Sequence, residues 1–536
     1  MKQILAIFTK DARRFWPEIL VSFALLLAFV FVYPNEWRGT EALGVYAYRS
    51  FLGANSPMGF LANAIVVLIP ISWWILIARL IHGERLVGDT QFWLTRPYEW
   101  PKFLAAKLLF IAVFICLPLL LAQSILLADA GFNPFFYLPG LLYNLILCAG
   151  IFILPLAAVS TVTTGFGRMT LILLGVVVFI AGVALLITEL PSDTSGTVSG
   201  PLGDSLSFIL LACGCAAVVL VQFAIRKVRV AWMILAGLAL LMTTGAFLDP
   251  DERFVEHSYP SEGFGNQAPV QISSYAPDAS IQPSINGTRD KGLLEITIPV
   301  HVLGVAEGHA VILTAFKATI DAAGQARWES PWQVVYNETH MPGNSDSWLR
   351  FRIRRAVYDR LKSTPVTLHL SFAVDDTQAA GSSSIPMTAS DFSVPDFGIC
   401  TPQAYSWLRR NPEITGISCR SAMRHPHLTY VTAQWTDGSC SDLDPEKTLG
   451  TAWTGSLDSD PAEFGITSVW TLPLTFSNNW GNRRGGDIAL PRHFCPGSPI
   501  TFTAYNRVAR GQVGLTIQDF HIPEMAVGDV YLMQMK

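Results

Sequence analysis

Between two long apolar runs lies Gly83-Glu84-Arg85-Leu86-Val87-Gly88-Asp89-Thr90-Gln91-Phe92-Trp93-Leu94-Thr95-Arg96-Pro97, followed by Lys107 at the start of the next apolar run. Charges alternate there with Phe92, Trp93 and Leu94. That mixture suits an amphipathic segment lying in a membrane interface, its aromatic face toward lipid or a partner. Arg96-Pro97 ends such a segment, because a residue before proline avoids helical geometry. A second charged stretch, Phe8-Thr9-Lys10-Asp11-Ala12-Arg13-Arg14, precedes the first apolar run. The chemistry these residue types offer is contact with a membrane surface or a partner, not bond making.

Catalytic signatures are few. No Gly-x-x-x-x-Gly-Lys-Ser/Thr loop is present, so ATP is not bound by that route. Neither His-Glu-x-x-His nor Gly-x-Ser-x-Gly occurs. His425-Pro426-His427 lies near Cys419, but its spacing matches no established metal site and reads as a surface loop. The acid pairs Asp375-Asp376 and Asp458-Ser459-Asp460 read as solvated loop residues. Asn286-Gly287-Thr288 and Asn337-Glu338-Thr339 fit the glycosylation pattern, which matters only where a host modifies such sites. The net charge of -4 gives no sign of nucleic-acid binding.

The elements that must position the charged segments are membrane helices. Charged residues make up 15% of the 536-residue chain and apolar residues 51%, and the composition breaks sharply near Leu248. A crossing helix needs about 20 mostly apolar residues to span about 30 Å of hydrocarbon. Seven segments fit: 15–33, 58–81, 103–127, 136–160, 169–189, 205–225 and 230–248. The first is not followed by a small-residue cleavage site and is expected to stay as an anchor. Pro139 and Pro155 in the fourth are tolerable within a bundle. With the N-terminus in the cytoplasm, thirteen Lys and Arg fall on the inner side of the spans and only Arg38 and Arg49 on the other, a strong positive-inside bias. Seven spans then leave the tail outside, and six would place it in the cytoplasm.

The expected fold class is therefore an α-helical multispan membrane domain of about seven transmembrane helices, residues 1–248, followed by a mainly-β, sandwich-like extracytoplasmic domain. Residues 249–292 read as a Pro/Gly/Ser-rich linker. Period-two alternation in 294–302, 366–372 and 500–505 predicts antiparallel strands with one buried face. The loose stretch 375–398, with Gly381-Ser382-Ser383-Ser384, divides a β-rich subdomain 293–374 from a Cys-containing one, 399–536. Cys400, Cys419, Cys440 and Cys495 all lie in the tail. In an oxidising compartment they are candidate disulfides, with three pairings open.

The loop and the N-terminal stretch together resemble the permeases of the type-2 ATP-binding-cassette transporter family. There, a Glu and a Gly follow the second span, a Leu-Thr/Ser-Arg-Pro element comes next, and a Lys opens the third. Glu84, Gly88, Leu94, Thr95, Arg96, Pro97 and Lys107 occupy those places, and 8–14 resembles the family's amphipathic N-terminal segment. The resemblance covers about residues 1–230. It implies an exporter subunit with no cofactor of its own, ATP being bound by a separate ATPase subunit. It implies pairing as a homodimer, or as a heterodimer with a second permease, in the inner cell membrane. On this reading Glu84, Arg85, Gly88, Asp89, Trp93, Arg96, Pro97 and Lys107 form the ATPase-coupling loop, and Lys10, Asp11, Arg13 and Arg14 the interfacial segment. A seventh span departs from the family's usual six, and the tail matches nothing in it. Basic residues between spans are also expected for topology alone. The rival reading is a membrane-anchored binding or sensory protein whose outer β domain recognises a ligand.

Overall fold

The computed structural model describes residues 2–39, 57–83, 99–189, 201–247, 255–264, 270–275, 283–287, 292–324, 326–340, 346–386, 390–395, 398–404, 414–422, 430–435, 450–453, 466, 469–475 and 499–523. Among the described residues, each of the seven apolar segments falls largely on helix. The helices are α1 (Lys2–Arg14), α2 (Trp16–Gly39), α3 (Pro57–His82), α4 (Trp100–Ile111), α5 (Leu117–Asp129), α6 (Leu138–Cys148), α7 (Leu154–Val162), α8 (Phe166–Glu189), α9 (Pro201–Ala224) and α10 (Val228–Phe247). Single π-helical turns, Ala112–Cys116 and Ala149–Ile153, join α4 to α5 and α6 to α7 without a break.

Among the described residues, four helical stretches are long and apolar enough to cross a bilayer: Trp16–Pro34, Phe60–His82, Trp100–Asp129 and Leu138–Val162. Three shorter apolar stretches follow at Phe166–Val176, Phe208–Ala224 and Val228–Met242. Leu117, Leu121 and Ile125 point outward at helical spacing, the surface a helix presents to lipid rather than to water. Pro17 explains the separation of α1 from α2. It has no N–H to offer the Arg13 carbonyl, and the helix bends at Phe15. α2 packs on α3 and α5, α7 on α3 and α9, α1 on α4, and α10 on α9.

The second half is mostly β, in antiparallel sheets. Its strands are β1 (Gln271–Ser274), β2 (Ser284–Gly287), β3 (Leu293–Leu303), β4 (His309–Asp321), β5 (Trp328–Glu329), β6 (Gln333–His340), β7 (Asp346–Arg354), β8 (Val366–Pro386), β9 (Phe392–Val394), β10 (Gly398–Ala404), β11 (Ile414–Ala422), β12 (Tyr430–Trp435), β13 (Gly450–Trp453), β14 (Val469–Thr475) and β15 (Pro499–Phe520). A short helix, α11 (Arg355–Leu361), follows β7. The largest sheet runs β13-β12-β15-β8-β4-β5, with β6 also on β4. β3 pairs with β1, β2 and β7, and a third sheet runs β14-β11-β10-β9. Ile296, Ile298, Val300 and Phe351 of the β3 sheet share one buried cluster with Leu313, Phe316, Leu368 and Phe372 of the β4–β8 sheet.

Two composition-based boundaries change. Residues 375–386, read as part of a linker, are the second half of β8, and Phe392–Val394 is β9. Gly381 lies opposite Ala504 and Ser383 opposite Phe502, so pairing with a strand over a hundred residues away overrides the turn-like composition. Because β15 pairs along nearly all of β8, the proposed subdomains 293–374 and 399–536 share a sheet. The stretch 249–292 likewise contains β1 and β2, both paired with β3.

Candidate functional site

α1 lies along α4, and the contact is built around one charged pair. Lys107 Nζ donates to Asp11 Oδ2 at 2.7 Å, with the two side chains 4% and 1% exposed. Both were singled out in the sequence, in separate segments, and the fold brings them together. The Phe103 ring lies 4.9 Å from the Lys107 ammonium, a favourable cation–π distance. Further along the same helical path, Phe8 stacks on Phe114 at 5.5 Å and meets Phe110 edge-on at 6.3 Å. Phe15 also meets Phe110, at 6.5 Å. Lys107, Phe110 and Phe114 are three and four residues apart and so share one helix face. α1 grips that face by charge at one point and by aromatic packing at two.

The remaining predicted cations of α1 point outward. Lys10 is half exposed, its Nζ 4.0 Å from Asp11 Oδ1. Arg13 is exposed. Arg14 donates to the Gly83 carbonyl at 3.4 Å, and so ties α1 to the residue at which the segment 84–98 leaves α3. Glu84, Arg85, Gly88, Asp89, Trp93, Arg96 and Pro97 lie outside the described residues. The chain enters that segment at Gly83 and leaves it at Glu99, so both of its ends are at the α1 end of the bundle.

Other polar ties at this end were not foreseen. Glu18 pairs with Arg79 between α2 and α3. His82 and Thr163 lie 2.9 Å apart between α3 and the end of α7. Gln222 of α9 donates to the Thr161 carbonyl at 3.1 Å. Gln222, a lone amide in an apolar run, was the one signal available beforehand, since buried amides in spans seek interhelical partners.

At the opposite end the bundle meets the third sheet. Gln123 of α5 is fully buried and donates to the Ile466 carbonyl at 3.2 Å. Ala422, Ile466 and Val469 belong to the same buried cluster as the helices. Gly398 opens β10 at φ +96°, where a Cβ would sit 2.7 Å from the Phe132 ring. Any side chain there is both strained and in collision.

In that sheet Cys400 and Cys419 face each other in register across β10 and β11 and form a disulfide. Cys440 and Cys495 lie outside the described residues. The bridge closes a loop with a sequence separation of 19, which corresponds to about 3 kcal/mol of chain-entropy stabilisation. Proteolytic mapping without reductant should recover a Cys400–Cys419 linked peptide. Cys400→Ser/Cys419→Ser should be destabilised by about that amount, read as a lower midpoint of denaturant unfolding.

The acid pair Asp375-Asp376 is not a solvated loop. Both sit within β8 at its crossing with β4 and β15, 3% and 9% exposed. Arg507 Nε donates to Asp375 Oδ2 at 3.1 Å, and Arg510 Nε lies 3.8 Å from Oδ1. His309 Nδ1 is 2.9 Å from Asp376 Oδ1. Burial pushes the Asp375 carboxyl above the usual range even though both arginines pull it down, and burial likewise raises the Tyr259 phenol beside it. The Tyr259 phenol hydrogen-bonds Asp375 and the Thr314 hydroxyl hydrogen-bonds Tyr259 in turn, so acids, arginines and hydroxyls form one buried polar network. His425, His427, Asp458 and Asp460 lie outside the described residues. Among the described residues no group of three His, Cys, Asp or Glu side chains is placed to hold a metal.

No protein-family model matches this chain, and no curated protein matches it.

Proposed function

We propose that this chain is the membrane-spanning permease subunit of an ATP-binding-cassette exporter, energised by a separate ATPase subunit. The carrying observation is the α1–α4 contact, in which Lys107 at the start of the third span holds Asp11 of the N-terminal helix in a buried ion pair. An amphipathic helix fastened to a span by one charged contact is suited to pass a push from a docked partner into the bilayer. Arg14 donates to the carbonyl of Gly83, the residue at which the chain leaves α3 for the 84–98 segment, and a partner that docks on that segment is proposed to engage α1 as well. Seven spans run from a cytoplasmic N-terminus to a sandwich-like domain outside, with α8, α9 and α10 as the last three. The disulfide favours an oxidising compartment for that domain. Two such chains, or one with a related permease, enclose the pathway.

The test is purification of the tagged full-length chain in mild detergent with identification of its partners. A stoichiometric ATPase subunit with a phosphate loop is the expected result. Trp93→Ala/Arg96→Ala should lower its recovery by at least about tenfold, as loss of a central aromatic–arginine anchor does. Undiminished association and transport in that variant would remove the site assignment, and absence of any ATPase would remove the exporter reading.

A further inference from the structure

Two consecutive spans are built alike at mid-depth. In Trp100–Asp129, twelve residues of α4 precede the π turn Ala112–Cys116 and thirteen of α5 follow it. In Leu138–Val162, eleven residues of α6 precede the π turn Ala149–Ile153 and nine of α7 follow. Both turns run directly into Leu-Pro-Leu: Phe114-Ile115-Cys116-Leu117-Pro118-Leu119 and Phe152-Ile153-Leu154-Pro155-Leu156. Each proline withholds an N–H and crowds the carbonyl four residues earlier. Those carbonyls belong to Phe114 and Ile151, inside the π turns. The Leu117 N–H bonds instead to the Ala112 carbonyl, and that of Leu154 to Ala149, the five-residue pattern of a widened turn. Proline alone does not enforce this. Pro70 sits within α3, which continues as α-helix on both sides.

The contacts divide at the same level. On one side, α4 is held to α1 by Asp11–Lys107 and to α9 by Phe103 stacked on Phe223 at 5.5 Å. α7 is held to α3 and α9 by His82–Thr163 and Gln222–Thr161. On the other side, α5 and the turn after it are held to the β10–β11–β14 sheet by Gln123–Ile466 and Phe132–Gly398. Among the described residues α2, as one uninterrupted helix, packs against elements of both groups, α3 and α5. Gly150 within the second π turn leaves room for the Phe208 ring of α9 to lie against bare backbone.

From this geometry we infer that the two π–proline turns are a paired hinge, about which the α5–α6 hairpin and the β10–β11–β14 sheet swing as one body against α4 and α7. Proline and π turns are where helices bend, and two hinges at equal depth in adjacent antiparallel spans give one axis rather than two kinks. Motion of α1 reaches the first hinge directly through Phe8 on Phe114. The inference stands on helix geometry and does not rest on the transport reading.

The test uses the full-length protein in lipid nanodiscs with the exposed Cys213 replaced by Ser. Nitroxides at Lys102→Cys and Phe135→Cys report across the hinge. Nitroxides at Lys102→Cys and Lys227→Cys report within one side. The across-hinge distance distribution should be the broader of the two, and Pro118→Ala/Pro155→Ala should narrow it to the width of the control pair, with Pro70→Ala leaving it unchanged. An across-hinge distribution as narrow as the control overturns the inference before any proline is changed. So does a broad distribution that the double substitution leaves alone, or one that Pro70→Ala narrows equally.

Discussion

Lys107→Met will destabilise the protein by about 3–5 kcal/mol, whereas Asp11→Leu/Lys107→Met will recover most of that loss. Asp11 is 1% exposed and takes its hydrogen bond from Lys107. Removing the ammonium leaves a carboxylate that water cannot reach, and breaking a buried pair from one side costs that much. Lys10 is the only other cation within ion-pair distance of it among the described residues, at 4.0 Å, and it is half exposed, so it offsets little. Replacing both partners with apolar groups removes the desolvation penalty along with the attraction, which is often neutral. The measurement is unfolding in detergent for both single variants and the double, closed as a double-mutant cycle. Equal losses for Lys107→Met and for the double variant would show that the pair contributes nothing specific. The cycle also bears on function: if α1 passes force through this contact, the apolar double variant should fold normally yet respond less to its partner.

What could be read from the chain beforehand followed from rules that act over short distances. The apolar runs marked where helices lie, and among the described residues four of those helices have the length that the thickness of hydrocarbon imposes. Alternation located the cores of β3, β8 and β15 for the same local reason. Pairings between distant residues were out of reach. Asp11 and Lys107 were each marked as functional, but nothing in either segment says that a residue 96 positions away is its partner. Gly381-Ser382-Ser383-Ser384 has the composition of a loop and is strand only because β15 pairs with it. Asp375-Asp376 looked solvated because acids usually are, and it is buried because Arg507 and Arg510 arrive from β15 to meet it. Pro155 was visible as a tolerated irregularity, but not the π turn before it, nor its counterpart at Pro118. A widened turn leaves the apolar pattern unchanged and shows only in the backbone hydrogen bonds.

Arg507→Met should cost far more than Asp375→Asn at neutral pH, and only the arginine variant should improve on acidification. Asp375 is nine-tenths or more buried, while the Arg507 side chain is 26% exposed and that of Arg510 36%. Take the acid away and both guanidinium groups still reach water. Take Arg507 away and an ionised carboxylate stays buried with Arg510 at 3.8 Å and the neutral Tyr259 phenol beside it, an arrangement of the kind that costs about 3–5 kcal/mol. The pH dependence follows from the raised carboxyl. A group whose folded-state pKa lies above its unfolded value holds its proton more tightly in the fold. Its contribution is therefore full below the ordinary carboxylate pKa of about 4 and is lost as pH rises through the raised value. Removing Arg507 takes away a group that pulls that value down, so it raises it further. The gap between Arg507→Met and the unsubstituted protein should be widest above the new value and should close as pH falls through it toward the ordinary one. Amide exchange across β8 and β15, followed from pH 7.5 to pH 5, reads this directly once corrected for the intrinsic pH dependence of exchange. A gap that stays constant or widens on acidification would mean that Arg507 acts through packing alone, and that Asp375 already holds its proton at neutral pH.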